Sequence, residues 1–259
     1  MVAATLAWGL VLAGGVVWSV YQGKPTAREQ TTVAQAKPTV DRAVAEVVSA
    51  AAGAGRAVVA ISGFDRVGEC PVTVLRSGAR YQRTVTAYVP VGSERALLSR
   101  VALRLPASYG VTERRGSAPG LVGDVGLFTQ LTGAVRGPGE VRFVIDTGSC
   151  RPEGDVAADE PAPASASRVP VQSVLTTLGV TAARWRTYRV SCANGAPLST
   201  VEAETEAGTA PGRLDDALDA TIVAPVLATA DVLAYRKASV DVAVRTVGGR
   251  LLVTATTLC

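Results

Sequence analysis

Not one of the 259 residues is histidine. Without an imidazole, a Ser-His-Asp or Cys-His arrangement cannot be assembled. Mixed Cys/His metal sites are excluded for the same reason. Lysine is almost absent too: Lys24, Lys37 and Lys237 are the full set. Ser-Lys catalysis would need one of these three. Only Lys237 has a serine close by, Ser239, and it lacks the SxxK spacing. No cysteine belongs to a CxxC pair, so zinc-ribbon and thioredoxin-type readings have no basis. A concentrated basic face is also missing. Arg184, Arg186 and Arg189 beside Tyr188, and the pair Arg114 and Arg115, are the nearest approach to one. Solvated arginines explain both, and nucleic acid is not an expected partner.

What the chain does have begins at residues 1–22, which carry no charged side chain. A helix crossing about 30 Å of hydrocarbon needs roughly 20 apolar residues, and residues 2–21 supply them. Trp18 and Tyr21 sit near the outer end, where amphipathic rings favour the headgroup layer. A cleaved signal peptide is the rival reading. Its apolar core would run about 7–15 residues before a small-x-small site. Here the run is longer, and the nearest such site, Ala34-Gln35-Ala36, comes well after it. An uncleaved anchor in the cell membrane is therefore expected. The basic residues Lys24, Arg28 and Lys37 all follow the run and none precedes it, which by charge alone would point the large domain inward. A basic leader upstream of Met1 would reconcile this with an outward-facing domain.

Cys70, Cys150, Cys192 and Cys259 argue for the outside. They are even in number and far apart, and two disulfides are the default in an extracytoplasmic chain. Arginine outnumbers lysine 23 to 3, a codon signature of a high-GC genome before it is a functional one. Hydrophobic residues make up 48% of the chain, enough for the cores of one or two domains.

Residues 23–39 are polar and read as a stalk. Residues 151–167, RPEGDVAADEPAPASAS, are acidic and rich in proline and alanine, a linker composition. They divide the ectodomain into 40–150 and 168–259, each with two cysteines. Each part reads as helix, strand to a cysteine, alternating strand, second helix, strand pair. In the first, Val40, Val44, Val47, Val48 and Ala51 share a helix face with Thr39 as a possible cap. Val171, Val174, Leu175 and Leu178 do the same in the second. Leu97, Leu98, Val101 and Leu105 form the next apolar stripe, matched by Leu214, Ala217, Leu218 and Thr221. Strand pairs close each part across Gly137-Pro138-Gly139 and Gly248-Gly249, the latter a strong hairpin signal. The expected fold class is therefore α+β: an N-terminal transmembrane helix, then two similar α-β-β-α-β-β modules with one disulfide each. The expected pairing is Cys70 with Cys150 and Cys192 with Cys259. The modules are expected to pack on one another through an apolar interface.

In composition and layout, most of the chain resembles uncharacterised single-pass membrane proteins of actinobacteria that carry a secreted, cystine-containing ectodomain. The resemblance implies an envelope location.

The remaining candidates for chemistry are carboxylates. Glu202, Glu204 and Glu206 would line one strand face about 6.8 Å apart, too wide for one compact metal site. A solvated face balanced by arginines on the next strand is the expected role. Asp215, Asp216 and Asp219 open a helix, where carboxylates favour the positive dipole end. Gly120, Gly123 and Gly126 lack the GK[ST] ending of a phosphate loop. Residues 108–126 instead read as an irregular loop and a candidate binding surface. No catalytic, cofactor or metal site is expected. The reading is a non-enzymatic, membrane-anchored binding or structural protein whose partner is an envelope protein, a peptide or a wall component. The alternative is a hydrolase or transferase of wall polymers using carboxylates in an inter-module cleft, since a glycosidase needs only two carboxyls.

Overall fold

A computed structural model of the chain describes residues 12, 14–15, 31–53, 57–73, 76–116, 118–156, 165–218, 222 and 224–259. The expected anchor falls outside these except for Leu12, Gly14 and Gly15. Among the described residues no helix is long and apolar enough to cross a membrane. The fold is mixed α+β, with two antiparallel sheets and two disulfides.

Helix α1, Val33–Ala52, begins earlier than the valine stripe alone suggests. Its cap is Thr32, not Thr39. The Thr32 hydroxyl accepts from the Gln35 amide at 3.2 Å, and the Gln35 side chain accepts from the Thr32 amide at 2.9 Å. This reciprocal capping box satisfies two otherwise orphaned donors. The last residues assigned to the stalk are therefore helical, and Thr39 is buried within the helix. Val40, Ala43, Val44, Val47 and Ala51 are fully buried along it.

The first sheet has seven strands: β1 Val58–Ile61, β2 Asp65–Thr73, β3 Arg76–Tyr88, β4 Thr112–Arg114, β5 Gly120–Gly126, β6 Thr129–Gly137 and β7 Glu140–Asp146. Their order is β1-β3-β7-β6-β5-β4, with β2 also on β3. Strand β3 is long enough to pair with β1 at one end and β2 at the other. Helix α2, Glu94–Arg104, joins α1 over one face. Valines 59, 85 and 141 with Leu121, Leu131, Phe143 and Ile145 fill the layer between. Gly133 makes room for that packing, since a Cβ there would lie 2.8 Å from the Phe143 ring. Residues 108–126 are largely ordered into a 3-10 turn and strands β4 and β5 rather than an irregular loop. Threefold glycine spacing hid the strand, because Leu121 and Val125 alternate inward between the glycines.

Helix α3, Ser165–Thr177, starts the second half, so the expected linker ends inside a helix. Strands β8 Ala182–Ser191, β9 Pro197–Thr205, β10 Leu227–Ala228, β11 Val232–Lys237, β12 Val240–Val247 and β13 Arg250–Thr257 form the second sheet. Its order is β10-β11-β12-β13-β9-β8. Helix α4 is short, Leu214–Leu218. Residues 219 and 221, expected on it, lie outside the described residues. One sheet face carries Val201, Ala203, Val242, Val244, Leu251 and Val253 against Val171, Val174 and Leu175 of α3 and Leu214 and Leu218 of α4. Both halves contain more strands than the expected six-element pattern: β2 and β4 carry few apolar residues, β10 has only two residues, and β11 falls outside the expected strand pair.

The other face of the second sheet meets the first half. Among the described residues strand β1 pairs only with β3, which leaves the amides of Val59 and Ile61 pointing away from its own sheet. Bare strand edges invite pairing with other chains. Here side chains cap this one. Asp241 accepts from the Val59 amide at 2.9 Å, and Thr200 accepts from the Ile61 amide at 3.3 Å. Thr200 shares a further bond of 2.7 Å with Thr256. Asp241 is fully buried and is paired by Arg236 at 2.6 Å. Arg236 also donates to the carbonyl of Ala57 at 2.7 Å. The interface was expected to be apolar. Apolar contact is present: Val58 and Tyr88 pack with Leu227, Ala234 and Ala243 in one buried cluster. Buried polar pairs are set beside this apolar contact, a feature that alternation patterns cannot reveal. The first core also takes in Tyr188, Val190, Cys192 and Leu198 from the second half.

Cys70 is bonded to Cys150 and Cys192 to Cys259, so each disulfide stays within its half. Arg151, at the head of the expected linker, is only 1% exposed. Its backbone exchanges bonds with Ala79. Its guanidinium donates to the carbonyls of Thr147, at 3.0 Å, and Leu127. Residues 151–153 are thus part of the fold, and a lone arginine in an acidic run gave no sign of it.

Candidate functional site

A cleft of about 530 Å³ opens where β2 of the first half approaches β8, β9 and the β12 to β13 turn. Ser62 and Asp65 line it from one side, and Arg186, Tyr188, Glu202, Glu204 and Arg250 from the other. Antiparallel register builds the second wall. Arg186 sits opposite Glu202 and Arg184 opposite Glu204 across β8 and β9, while Glu202 and Glu204 face Thr254 and Leu252 of β13. Residues directly opposed in such a ladder share a face, so opposite charges meet by geometry.

Glu202 is the central group. Its carboxylate accepts from the Tyr188 hydroxyl at 3.1 Å and pairs with Arg186 at 3.4 Å. Burial pushes its pKa up, and the carboxylates of Glu204 and Asp65 push it the same way. Tyr188 and Arg186 oppose that rise. Burial raises the Tyr188 phenol as well, with Glu202 adding to it, so the hydroxyl stays a donor at neutral pH. Glu204 behaves differently. Arg250 bonds it at 2.7 Å, and that hydrogen bond holds its pKa below the usual range.

Next to the cleft lies Arg83, fully buried. It pairs with Asp41 of α1 at 2.7 Å. It also donates to the carbonyls of Ser62, at 3.0 Å, and Arg189, at 3.4 Å. Burial lowers its pKa, opposed by Asp41. One guanidinium thereby fixes α1, the residue beside the cleft and β8 to one another. Such a charge is strongly destabilising to strand, which makes the geometry specific.

A larger hollow of about 900 Å³ separates α1 from the β8 to β9 turn. It is lined by Arg42, Glu46, Arg104 and Asn194 beside the bond between Cys192 and Cys259. Its polar groups are largely engaged. Tyr109 donates to Glu46, and Arg104 donates to the Ala50 carbonyl. Burial, and then Glu46, push the Tyr109 pKa up to about 12.

The expected solvated glutamate face holds only in part. Glu204 and Glu202 are balanced by arginines, but Glu202 is largely buried and faces the first half. Glu206 lies beyond the strand end and is exposed. Asp215 and Asp216 do occupy the first turn of α4, where both also bond Arg213. Gly120 and Gly123 are strand residues. Lys237 ends β11 and Ser239 lies in the turn to β12, and neither lines the cleft that holds Glu202. Among the described residues no group of three or more acidic or cysteine side chains is placed to hold a metal ion. Asp65, Arg250 and Arg83 escaped the sequence reading. The strand pairing that gathers them spans from residue 62 to residue 250, and no local spacing announces it. No family model, curated protein or solved structure matches this chain.

Proposed function

We propose that the chain is a membrane-anchored, extracytoplasmic, non-enzymatic binding protein of the cell envelope that takes its ligand between two related α+β modules. The observation that carries this reading is the cleft just described, whose charged lining comes from both halves. Its mixed sign suits a ligand with both an amine and carboxylates, such as a peptide or the peptide portion of a wall polymer. Support for related modules comes from the strand orders. With β1 and β2 taken as one interrupted strand beside β3, the first sheet reads β1/β2-β3-β7-β6-β5-β4 and the second β8-β9-β13-β12-β11-β10. Position for position these are the same sequence of steps, and each half opens with a helix over one face of its sheet.

The second reading is a wall-polymer hydrolase. In its favour, Asp65 and Glu202 line one cleft from opposite halves, and burial raises the Glu202 carboxyl as a general acid requires. Against it, Glu202 and Glu204 are both held by arginines. Titration calorimetry of the full chain with soluble peptidoglycan fragments tests the choice. Binding without turnover, lost in Asp65→Ala and Arg250→Ala, supports the binding reading. Turnover lost in Glu202→Gln supports the hydrolase. Absence of both, with no envelope adduct from a photo-crosslinker at Val247, contradicts a ligand in this cleft.

A further inference from the structure

The β5 to β6 hairpin turns through Leu127 and Phe128, and both lie in the left-handed region, at φ 50° and 56°. Two-residue hairpin turns of this kind favour Asn-Gly, because a Cβ in that region is strained. The chain instead places two large apolar residues there and leaves them 50% and 59% exposed. Two unfavourable choices coincide at one dipeptide. Strain of this sort persists where the surrounding structure fixes it, and it clusters at functional positions.

The tip is fixed from below. Buried Arg151 donates to the Leu127 carbonyl. Gly148 packs so close that a Cβ on it would collide with the Phe128 carbonyl. Val67, 43% exposed, lies on the same region: it shares a shallow pocket with Gly148 and Ser149, and those two also border the pocket that contains Phe128. Arg80 and Glu69 edge the patch with opposite signs, and Asp124 lines the pocket beside Phe128.

The patch also lies on the side of the molecule where the chain comes up from its N-terminal segment. Arg151 is followed directly by Pro152 and Glu153, whose carbonyls accept from Val33 at 2.8 Å and Ala34 at 3.1 Å, the first two residues of α1. At most about 7 Å of chain separates Arg151 from Glu153. The hairpin tip and the start of α1 are therefore held by the same three residues. Only residues 22–30 lie between the apolar run and residue 31, a span of about 35 Å at full extension.

We propose that Leu127 and Phe128, with Val67 beside them, dip into the lipid headgroup layer and seat the ectodomain against the membrane. This rests on the anchored reading of residues 1–22, and the test separates the two. The full chain is reconstituted into vesicles of phosphatidylethanolamine and phosphatidylglycerol containing a lipid with a diazirine high in its acyl chain. Labelled peptides are then mapped. Label on the peptide holding residues 127–128 as well as on residues 1–22 is the expected result. It should persist as the phosphatidylglycerol fraction is lowered, since apolar contact drives it. The double variant Leu127→Asn with Phe128→Gly should lose the hairpin label while keeping the N-terminal one. Because that turn is locally preferred, the variant should unfold at a higher temperature than the native chain, which shows that the loss is not misfolding. Label on residues 1–22 alone in the native chain overturns the proposal and leaves the anchor standing. Label on neither segment, with the protein failing to float with the vesicles, overturns both.

Discussion

Replacing Asp241 with alanine should damage the whole fold, although Asp241 belongs to none of the apolar clusters and to neither disulfide. Its buried carboxylate performs two tasks: it caps the Val59 amide on the bare edge of β1, and it receives Arg236. Alanine strands the amide, at about 1–3 kcal/mol for a buried unsatisfied donor. It also removes a charge-assisted bond worth about 1.5–3 kcal/mol. Arg236 is 37% exposed and can turn to water, so its share falls at the lower end. A loss of about 3 kcal/mol follows from these two terms. For a domain of this size that is a fall in Tm of about 6–12 °C. Asp241→Asn keeps an acceptor for Val59 and should cost about half as much. The assay is denaturant and thermal unfolding of the full chain, with Asp216→Ala as a control at an exposed carboxylate. If Asp241→Ala unfolds with the control, the edge of β1 is not held in the way described.

Glu202 gives a pH signature of its own. Burial raises its folded pKa, so above about pH 4 the folded state retains a proton that the unfolded chain has lost. Its contribution to stability therefore falls as pH rises through that window. The unfolding free energy of the native chain minus that of Glu202→Gln should decline from pH 4 upward, and a flat or rising difference refutes the burial argument. Opening the bond between Cys192 and Cys259 with a double alanine variant releases a loop of 67 residues. Chain entropy puts the loss at about 4 kcal/mol, read by denaturant midpoint. A loss below about 1 kcal/mol would mean that the unfolded second half is already compact.

Much of the α+β character was legible because valine periodicity writes it out. The stripe of α1, the alternation around Val85 and the Gly248-Gly249 turn each depend on neighbours a few residues apart. Boundaries failed where side-chain capping decided them, as at Thr32, or where glycines interrupted a strand, as in β5. The cleft was less visible. Glu202 and Glu204 stood out as a row, but the burial of Glu202 follows from a cleft shared with Ser62 and Asp65, more than a hundred residues away. Arg83 and Arg151 looked like any surface arginine in an arginine-rich chain. Their burial depends on carbonyl and carboxylate partners that only the tertiary fold assembles.

The account depends most on the two halves forming one unit, held through Arg83, Asp241 and Thr200 and through a core that draws on both. A specific protease site inserted between Glu160 and Pro161 tests that directly, because neither disulfide crosses the cut. After cleavage under non-reducing conditions, the fragments should still elute together from a sizing column at the volume of the uncut chain. Two folded fragments eluting separately would contradict the shared core, the capped edge and the cleft between the halves.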